Sequence, residues 1–233
     1  MNGGKTRRIL FISGTPRDDG NSELLARRCA SAAGKAGAKV EFWALRSRNI
    51  MPCAGCLQCN KLKTCAFATD DWPALRDAFL ASDAVVIASP VYFHGISAIL
   101  KNALDRFRSV LRVRFTPSSL IHDTVSWPAK DVAVILTQGE PIGNDFESPL
   151  QNLKFFSKLV CRADDVRTLI AKGLTIAAQV EMDETRLRAF WRSSSLDPNV
   201  FIEFRDRFAS YRDLADTLGR NLAEGASGPA GRT

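Results

Sequence analysis

Four of the six cysteines stand close together in the chain, in a pattern that suits metal chemistry. Cys53, Cys56, Cys59 and Cys65 follow the spacing C-x2-C-x2-C-x5-C. Three thiolates at intervals of three residues, with a fourth soon after, can surround a cubane of four iron and four sulfide ions. Residues 1–8 lack the apolar stretch and cleavage site of a secretory signal, so we expect a cytoplasmic protein with reduced thiols. The spacing therefore predicts a metal or iron–sulfur site rather than disulfides.

Other uses of the same cysteines remain open. Four thiolates can bind a structural zinc ion, although zinc sites usually separate two C-x2-C pairs more widely. The cysteines can also stay unloaded, as free thiols or disulfides, and Cys56 with Cys59 can form a redox-active pair. The remaining two, Cys29 and Cys161, lie within or at the end of predicted helices, and we expect them to be buried packing residues.

A second candidate site is the loop between Ser13 and Ser22, SGTPRDDGNS, which leads from an apolar run into a helix. Amide groups and the helix dipole at such a junction favour an anion, and a phosphate fits. Its candidate ligands are Ser13, Thr15, Arg17, Asn21 and Ser22. The loop has neither a Walker A ending nor a GxGxxG pattern, which disfavours ATP and a standard dinucleotide. The alternative is an ordinary capped turn, and the carboxylates of Asp18 and Asp19 count mildly for it.

Two further loops carry residues that suit a flat ligand. Tyr92 and Phe93 follow a buried apolar run, where two large rings are unusual unless something flat covers them, although they can simply pack the loop against the next helix. In the segment 137–143, TQGEPIG, backbone amides and Gln138 can reach the polar edge of a bound ring. His94 is expected to face solvent, with contact to a substrate as the alternative.

The elements that must position these loops alternate between apolar runs and helical patterns. The predicted strands are 8–13, 38–45, 84–88, 132–136 and 166–171, and the predicted helices are 23–37, 70–82, 97–113, 149–160 and 199–223. Five strands alternating with helices predict an α/β fold, a doubly wound five-stranded parallel sheet with helices on both faces. Ligands of such sheets bind outside the carboxyl ends of the strands, where all three loops fall.

The length of 233 residues favours a single domain, 1–224, with a cysteine loop at 51–69 and a flexible tail at 225–233. Two segments, 114–130 and 192–198, look like added loops that serve as lids, subunit contacts or plain surface excursions. The charges behind the net +7 are scattered, and no apolar stretch is long enough for a membrane span, so we expect no nucleic acid and no membrane. The group closest to a basic patch consists of Arg106, Arg108, Arg112 and Arg114. We interpret it as a solvated helix face and its exit, with a docking surface as the alternative.

Taken together, SGTPRDDGNS, ASPVYFHGISAILKNALDR and TQGEPIG resemble the NADPH-dependent FMN reductase group of flavodoxin-like proteins. The resemblance covers residues 7–143 well. It implies that the first loop binds the FMN phosphate through the five ligands named above. It also implies an isoalloxazine site lined by Pro90, Val91, Tyr92, Phe93, Thr137, Gln138 and Gly139. Flavin in this group usually lies near a subunit interface, so a homodimer or homotetramer is implied.

Within that group, the four-cysteine loop is similar to the motif with which iron–sulfur flavoproteins bind a [4Fe–4S] cluster. The resemblance implies an FMN-dependent oxidoreductase or electron-transfer flavoprotein that couples the cluster to FMN, with ferredoxin or NAD(P)H as electron donor. No side chain is required as a catalytic acid or base. The alternatives are a cluster-free NAD(P)H-dependent FMN or quinone reductase, a non-catalytic electron carrier and a zinc-stabilised interaction module.

Overall fold

The computed structural model describes residues 5–124, 127–193 and 201–225. Its strands are β1 Arg8–Ser13, β2 Lys39–Ala44, β3 Ala84–Tyr92, β4 Gly95–Ile96, β5 Leu111–Phe115, β6 Leu120–Thr124, β7 Asp131–Thr137 and β8 Arg167–Ala171. Its α-helices are α1 Asn21–Lys35, α2 Cys59–Leu62, α3 Trp72–Ala81, α4 Ala98–Arg106, α5 Glu147–Phe156, α6 Glu184–Ser193 and α7 Phe201–Glu224.

Five strands form one parallel sheet in the order β2-β1-β3-β7-β8, and the short β4 pairs antiparallel with the end of β3. From β1 the chain adds β2 on one side and β3 on the other, both parallel to β1, and this reversal of strand order is the switch point of the sheet. The predicted α/β fold is thus confirmed. Because β1, β3 and β7 are neighbours, the loops that follow them meet at one edge of the sheet.

Helices cover both faces of the sheet, which explains why the strands read as continuous apolar runs. Alternate residues of β1 point to opposite sides: Leu10 and Ile12 join one core, and Ile9 and Phe11 join the other. The first core takes side chains from α3, α4 and α5, and the second from α1, α6 and α7.

The region after α4 differs from the sequence prediction. The helix expected over 97–113 ends at Arg106, continues as a 3-10 turn, Phe107–Val110, and gives way to β5, which forms an antiparallel hairpin with β6. The residues of β5, LRVRF, alternate in burial with the period of a strand. The segment 114–130 is therefore largely a hairpin, and only its residues 125 and 126 lie outside the described chain. Of the segment 192–198, only Arg192 and Ser193 are described.

The interpretation of the four arginines as a solvated helix face and its exit is wrong for Arg106 and Arg108. Arg106 is buried, with 1% of its surface exposed, and Arg108 bonds to the cysteine loop. Arg112 and Arg114 are exposed on β5 rather than on a helix. Within the described residues, no helix combines the length and the apolar character needed to cross a membrane.

The close packing of α1 on α7 depends on Gly219. A Cβ atom at this position would overlap the carbonyl oxygen of Cys29 and lie 3.0 Å from the Cβ of Ala32, whereas one on Gly34 would meet nothing within 4 Å. We expect Gly219→Ala to lower the free energy of unfolding by about 1–3 kcal/mol through overpacking. Gly34→Ala should instead raise it by up to about 1 kcal/mol, because alanine favours a helix. Urea denaturation of both variants tests this, and equal effects would contradict the packing argument.

Candidate functional site

The loop between β1 and α1 is held against the rest of the sheet edge by Gly14. Its amide donates to Ala88 O in β3 at 2.8 Å, and its carbonyl accepts from Ser97 Oγ, the N-cap residue of α4, at 2.5 Å. A Cβ on Gly14 would lie 2.5 Å from the Cβ of Leu100. Glycine is therefore needed here for the close approach of α4 to the loop.

The predicted phosphate ligands occupy two levels of this loop. Ser13, Thr15, Asn21 and Ser22 are buried at its base, and Arg17 is exposed at its tip. The hydroxyl of Ser22 has no hydrogen-bond partner among the described residues although it is buried. It lies in the first turn of α1, where the amides of Glu23 and Leu24 donate to Gly20 O, whereas those of Asn21 and Ser22 precede the first helical hydrogen bond. A buried donor beside free amides fits an anion such as a phosphate.

Two of the predicted ligands are already engaged with the protein. Asn21 Nδ2 donates to Ile176 O at 2.8 Å, and its Oδ1 accepts from the amide of Val180 at 3.0 Å. Ser13 Oγ donates to Glu23 Oε2 at 3.0 Å. In this structure both side chains therefore position the loop: Asn21 holds the segment after β8 against it, and Ser13 ties it to α1.

Sequence reasoning missed the charge arrangement beneath the loop. The carboxylate of Glu23 is fully buried and pairs with Arg27, at 2.7 Å, and with Arg46. Arg46 also binds Asp18 Oδ1 at 2.5 Å. Burial lowers the pKa of Arg46, but its bonds to Glu23 and Asp18 outweigh this and raise it above the ordinary value. The two arginines offset negative charge that would otherwise repel a phosphate, and the i,i+4 spacing of Glu23 and Arg27 was the available sequence signal.

The second loop is a tight hairpin with an exposed aromatic tip. Strand β3 runs past its predicted end to Tyr92 and folds back as β4, with Phe93 and His94 at positive φ of 48° and 56°. Phe93 is fully exposed, Tyr92 is 43% exposed, and His94 faces solvent 3.8 Å from Asp145. Residues other than glycine cost energy in the left-handed region, and such strain is concentrated at functional sites. The tip therefore offers apolar area for a flat ring or a second subunit.

The other predicted ring-lining residues lie lower at the same edge. Pro90 is buried and pairs in register with Thr137, and Val91 is half-buried. Gln138 turns its side chain into the protein: Nε2 donates to Glu140 O and Gly143 O, both at 2.8 Å, and Oε1 accepts from the amide of Phe146. Gln138 thus shapes the third loop. A ligand there would meet the backbone around the half-buried Gly139.

The four cysteines of the loop at 51–69 gather around one small cavity. Cys53 and Cys56 are exposed, Cys59 and Cys65 are half-buried, and none forms a disulfide. All four line the same cavity together with Arg106 and Arg108, and Arg108 Nη1 lies 3.8 Å from Cys59 Sγ. Two guanidinium groups beside four thiols suit an anionic set of thiolate ligands. In the described part of the chain, no three His, Cys, Asp or Glu side chains are arranged as ligands of a single metal ion.

A buried ion pair closes the base of this loop. Arg106 bonds to Asp70 at 2.6 Å, with both side chains almost fully buried, and also donates to Met51 O and Phe67 O at 2.6 and 2.7 Å. Asp70 Oδ2 accepts from the amide of Met51. One turn earlier on α4, Asn102 donates to Ile50 O at 2.5 Å. The entry and the exit of the cysteine loop are therefore both fixed from α4.

The two remaining cysteines are remote from this chemistry. Cys29 and Cys161 are both fully buried among apolar side chains. Burial raises the pKa of the Cys29 thiol well above its ordinary value and that of Cys161 to about 12. Both stay protonated at neutral pH, which fits packing residues rather than ligands or nucleophiles.

Known flavoproteins resemble this chain in sequence and in fold. An iron–sulfur flavoprotein of Methanocaldococcus jannaschii is 37% identical over 108 residues, covering 46% of this chain and 55% of that protein. The chain thus spans about half the length of this curated relative. An NAD(P)H:quinone oxidoreductase from Methanothermobacter marburgensis has a TM-score of 0.61 at 13% identity, over 94% of this chain and 100% of that one. An FMN-dependent NADH-azoreductase from Bacillus anthracis, in complex with FMN, has a TM-score of 0.58 at 15% identity, over 92% and 100%.

At 13% and 15% identity, the similarities to these two solved structures show the fold alone. Residues 7–144 match the profile of the family described as NADPH-dependent FMN reductase, which is more than half of the chain and includes all three sheet-edge loops and the cysteine loop. The chain belongs to the NADPH-dependent FMN reductase family.

Proposed function

We propose that this protein is an FMN-dependent oxidoreductase in which a [4Fe–4S] cluster, held by Cys53, Cys56, Cys59 and Cys65, exchanges electrons with FMN bound at the sheet edge. The flavin accepts two electrons and releases them singly, whereas the cluster passes one electron at a time. Such a pair connects a one-electron donor with a two-electron acceptor.

The arrangement of α4 is the observation that carries this proposal. Its N-cap residue, Ser97, bonds to the phosphate loop, and Asn102 and Arg106 hold the cysteine loop. Nine helical residues span about 13 Å along the axis. Because electron tunnelling falls steeply with distance, two redox groups at the ends of one short helix are well placed for direct exchange.

The described residues would bind and orient both groups rather than act as acids or bases. Ser22, Thr15 and the amides at the start of α1 would bind the phosphate, and Arg17 would supply charge from the loop tip. The exposed face formed by Tyr92 and Phe93 would cover the flavin ring, with the backbone around Gly139 at its polar edge. Pro90, Val91, Thr137 and Gln138 support these surfaces from below. This division of labour fits a cofactor that supplies the chemistry itself.

Two electron donors are compatible with a protein that contains both a cluster and FMN. A ferredoxin would deliver single electrons through the cluster, whereas NAD(P)H would deliver a hydride directly to the flavin. The fully exposed Phe93 supports a homodimer or homotetramer, because a large apolar side chain at a ring site gains from burial against a second subunit. Anaerobic turnover with reduced ferredoxin and with NADPH separates the two donors.

The first experiment is anaerobic purification followed by an absorption spectrum and assays of iron, sulfide, zinc and flavin per chain. We expect flavin bands with a broad brown shoulder and about four irons and four sulfides per FMN. Flavin without iron would overturn the cluster and leave an NAD(P)H-dependent FMN or quinone reductase. Zinc in place of iron would favour the zinc-stabilised module, and two loaded cofactors without turnover would favour an electron carrier.

Serine variants of all six cysteines provide the matched test of the ligand set. Each of the four loop variants should lose most of its iron and keep its FMN, because the flavin site lies at the other end of α4. Cys29→Ser and Cys161→Ser should keep full iron, since both thiols are buried in the two cores. Loss of iron from the core variants alone, in folded protein, would refute the assigned ligands.

A further inference from the structure

A second cavity of about 900 Å³ opens beside the cysteine loop. Its walls come from α2 and its cap, from α3, from the 3-10 turn after α4, from β5 and from residues 127–128. None of the residues of the three sheet-edge loops lines it. It is therefore distinct from the proposed flavin site, and its volume lies within the range of small-molecule sites.

The rim of this cavity, which we call the basic cavity, is positively charged. Four of the described lining residues are cationic, Lys63, Arg76, Arg112 and Arg114, and none of the described lining residues is acidic. Arg76 is partly neutralised by Asp77 at 2.7 Å. Within the described part of the chain, Lys63 Nζ donates to the carbonyl of Asn60 and is paired with no carboxylate. A concave site with this surplus of positive charge attracts anions.

The floor of the basic cavity is apolar. Leu80, Val113 and the ring of Trp127 lie there, and Leu80 is 40% exposed. The indole N–H of Trp127 is already bonded to Val160 O at 3.0 Å, so the ring offers apolar surface rather than a donor. An inorganic anion would leave this apolar surface exposed to water, whereas an anion with an aromatic ring would bury it.

One wall of the basic cavity is formed by Cys59, one of the four proposed cluster ligands, with Asn60 beside it. Arg108 fixes this wall: it bonds to Asn60 Oδ1 at 2.7 Å and to Leu111 O at 3.2 Å, and it lies 3.8 Å from Cys59 Sγ. An occupant would therefore touch the segment that carries a cluster ligand. We propose that the basic cavity binds a small aromatic anion, with a carboxylate, sulfonate or phosphate group at the rim and its ring on the floor.

The test is calorimetric titration of the purified, FMN-saturated protein with 2-naphthalenesulfonate and with its neutral sulfonamide. We expect saturable binding of the sulfonate and at least tenfold weaker binding of the sulfonamide. Lys63→Gln and Arg112→Gln should each weaken the sulfonate by about tenfold, because each removes a charged hydrogen-bond donor. Lys154→Gln on α5 and Arg186→Gln on α6, both exposed and outside the lining of the cavity, are the matched controls and should change nothing.

Three results would overturn the proposal. One is equal affinity for the sulfonate and the neutral sulfonamide. Another is unchanged binding in Lys63→Gln and Arg112→Gln. The third is a change of oligomeric state in these two variants by light scattering, which would make a second copy of the chain the occupant. Because Cys59 and Lys63 belong to the cysteine loop, the iron content of each sample is measured beside the titration. Charge-dependent binding of the sulfonate to protein without iron would support the cavity proposal while the cluster proposal fails, so the two failures are distinguishable.

Discussion

Arg106→Met should lower the free energy of unfolding by about 3–5 kcal/mol, because it leaves the carboxylate of Asp70 buried without its partner. It also removes the two donors that bind Met51 O at the entry and Phe67 O at the exit of the cysteine loop. We therefore expect the purified variant to contain much less iron than the wild type. Urea denaturation and iron per chain measure the two effects.

Lys101→Met is the matched control on the same helix. Lys101 pairs with Asp105 at 2.6 Å, but about half of each side chain is exposed. Such a pair contributes less than about 1 kcal/mol, and it touches no part of the cysteine loop. A small stability loss with full iron in Arg106→Met would show that the ion pair does not organise the loop.

The same ion pair predicts a pH dependence. Burial raises the pKa of Asp70, but the bonds from Arg106 and from the amides of Met51 and Trp72 outweigh it, so the pKa lies below its ordinary value. A carboxyl with a depressed folded-state pKa contributes stability that is complete above its unfolded pKa and lost as the pH falls through the folded one. The stability difference between wild type and Asp70→Asn should therefore shrink on acidification below about pH 4. A constant difference would mean that the carboxylate charge plays no part.

The sheet could be predicted from the sequence because each strand is a short apolar run buried on both faces. Ile9 to Ile12 serve the two cores alternately, so apolarity alone marks the strand. The hairpin after α4 could not be predicted. In a segment as short as LRVRF, directly after a helix, the period of a strand cannot be distinguished from that of a helix. Its identity depends on pairing with β6, which is a contact between segments rather than a local preference.

The residues of the candidate sites also differ in whether local sequence or a contact with a distant segment determines their role. Ser22 was predicted from its position at a strand-to-helix junction, and the structure leaves its hydroxyl without a partner. Arg106 was expected in solvent because arginine is seldom buried, and its burial is explained by Asp70, 36 residues earlier, together with the carbonyls of Met51 and Phe67. Gln138 was expected to face a ligand, but the carbonyls of its own loop compete for its amide. Side chains that satisfy distant backbone groups cannot be recognised without the fold.

The other large effect concerns Ser22. Its hydroxyl is buried and has no partner among the residues that the structure describes, which costs free energy in the ligand-free protein. Ser22→Ala should therefore leave the stability of the flavin-free form unchanged or raise it. Binding of FMN should weaken by about 10- to 100-fold, because a hydrogen bond to a charged group contributes about 1.5–3 kcal/mol. Fluorescence titration of the flavin-free protein with FMN, together with urea denaturation, measures both quantities.

Ser31→Ala, on the same helix but exposed, is the control, and its FMN affinity should equal that of the wild type. Weaker FMN binding without a loss of stability is the result expected for a group that serves a ligand, since replacing a serine that serves the fold would lower the stability. A destabilised Ser22→Ala with unchanged FMN affinity would make Ser22 a structural residue and move the phosphate site elsewhere. The expected result would instead place the phosphate at the start of α1. The loop before α1 is bonded to the first end of α4, and the cysteine loop is bonded to residues further along the same helix.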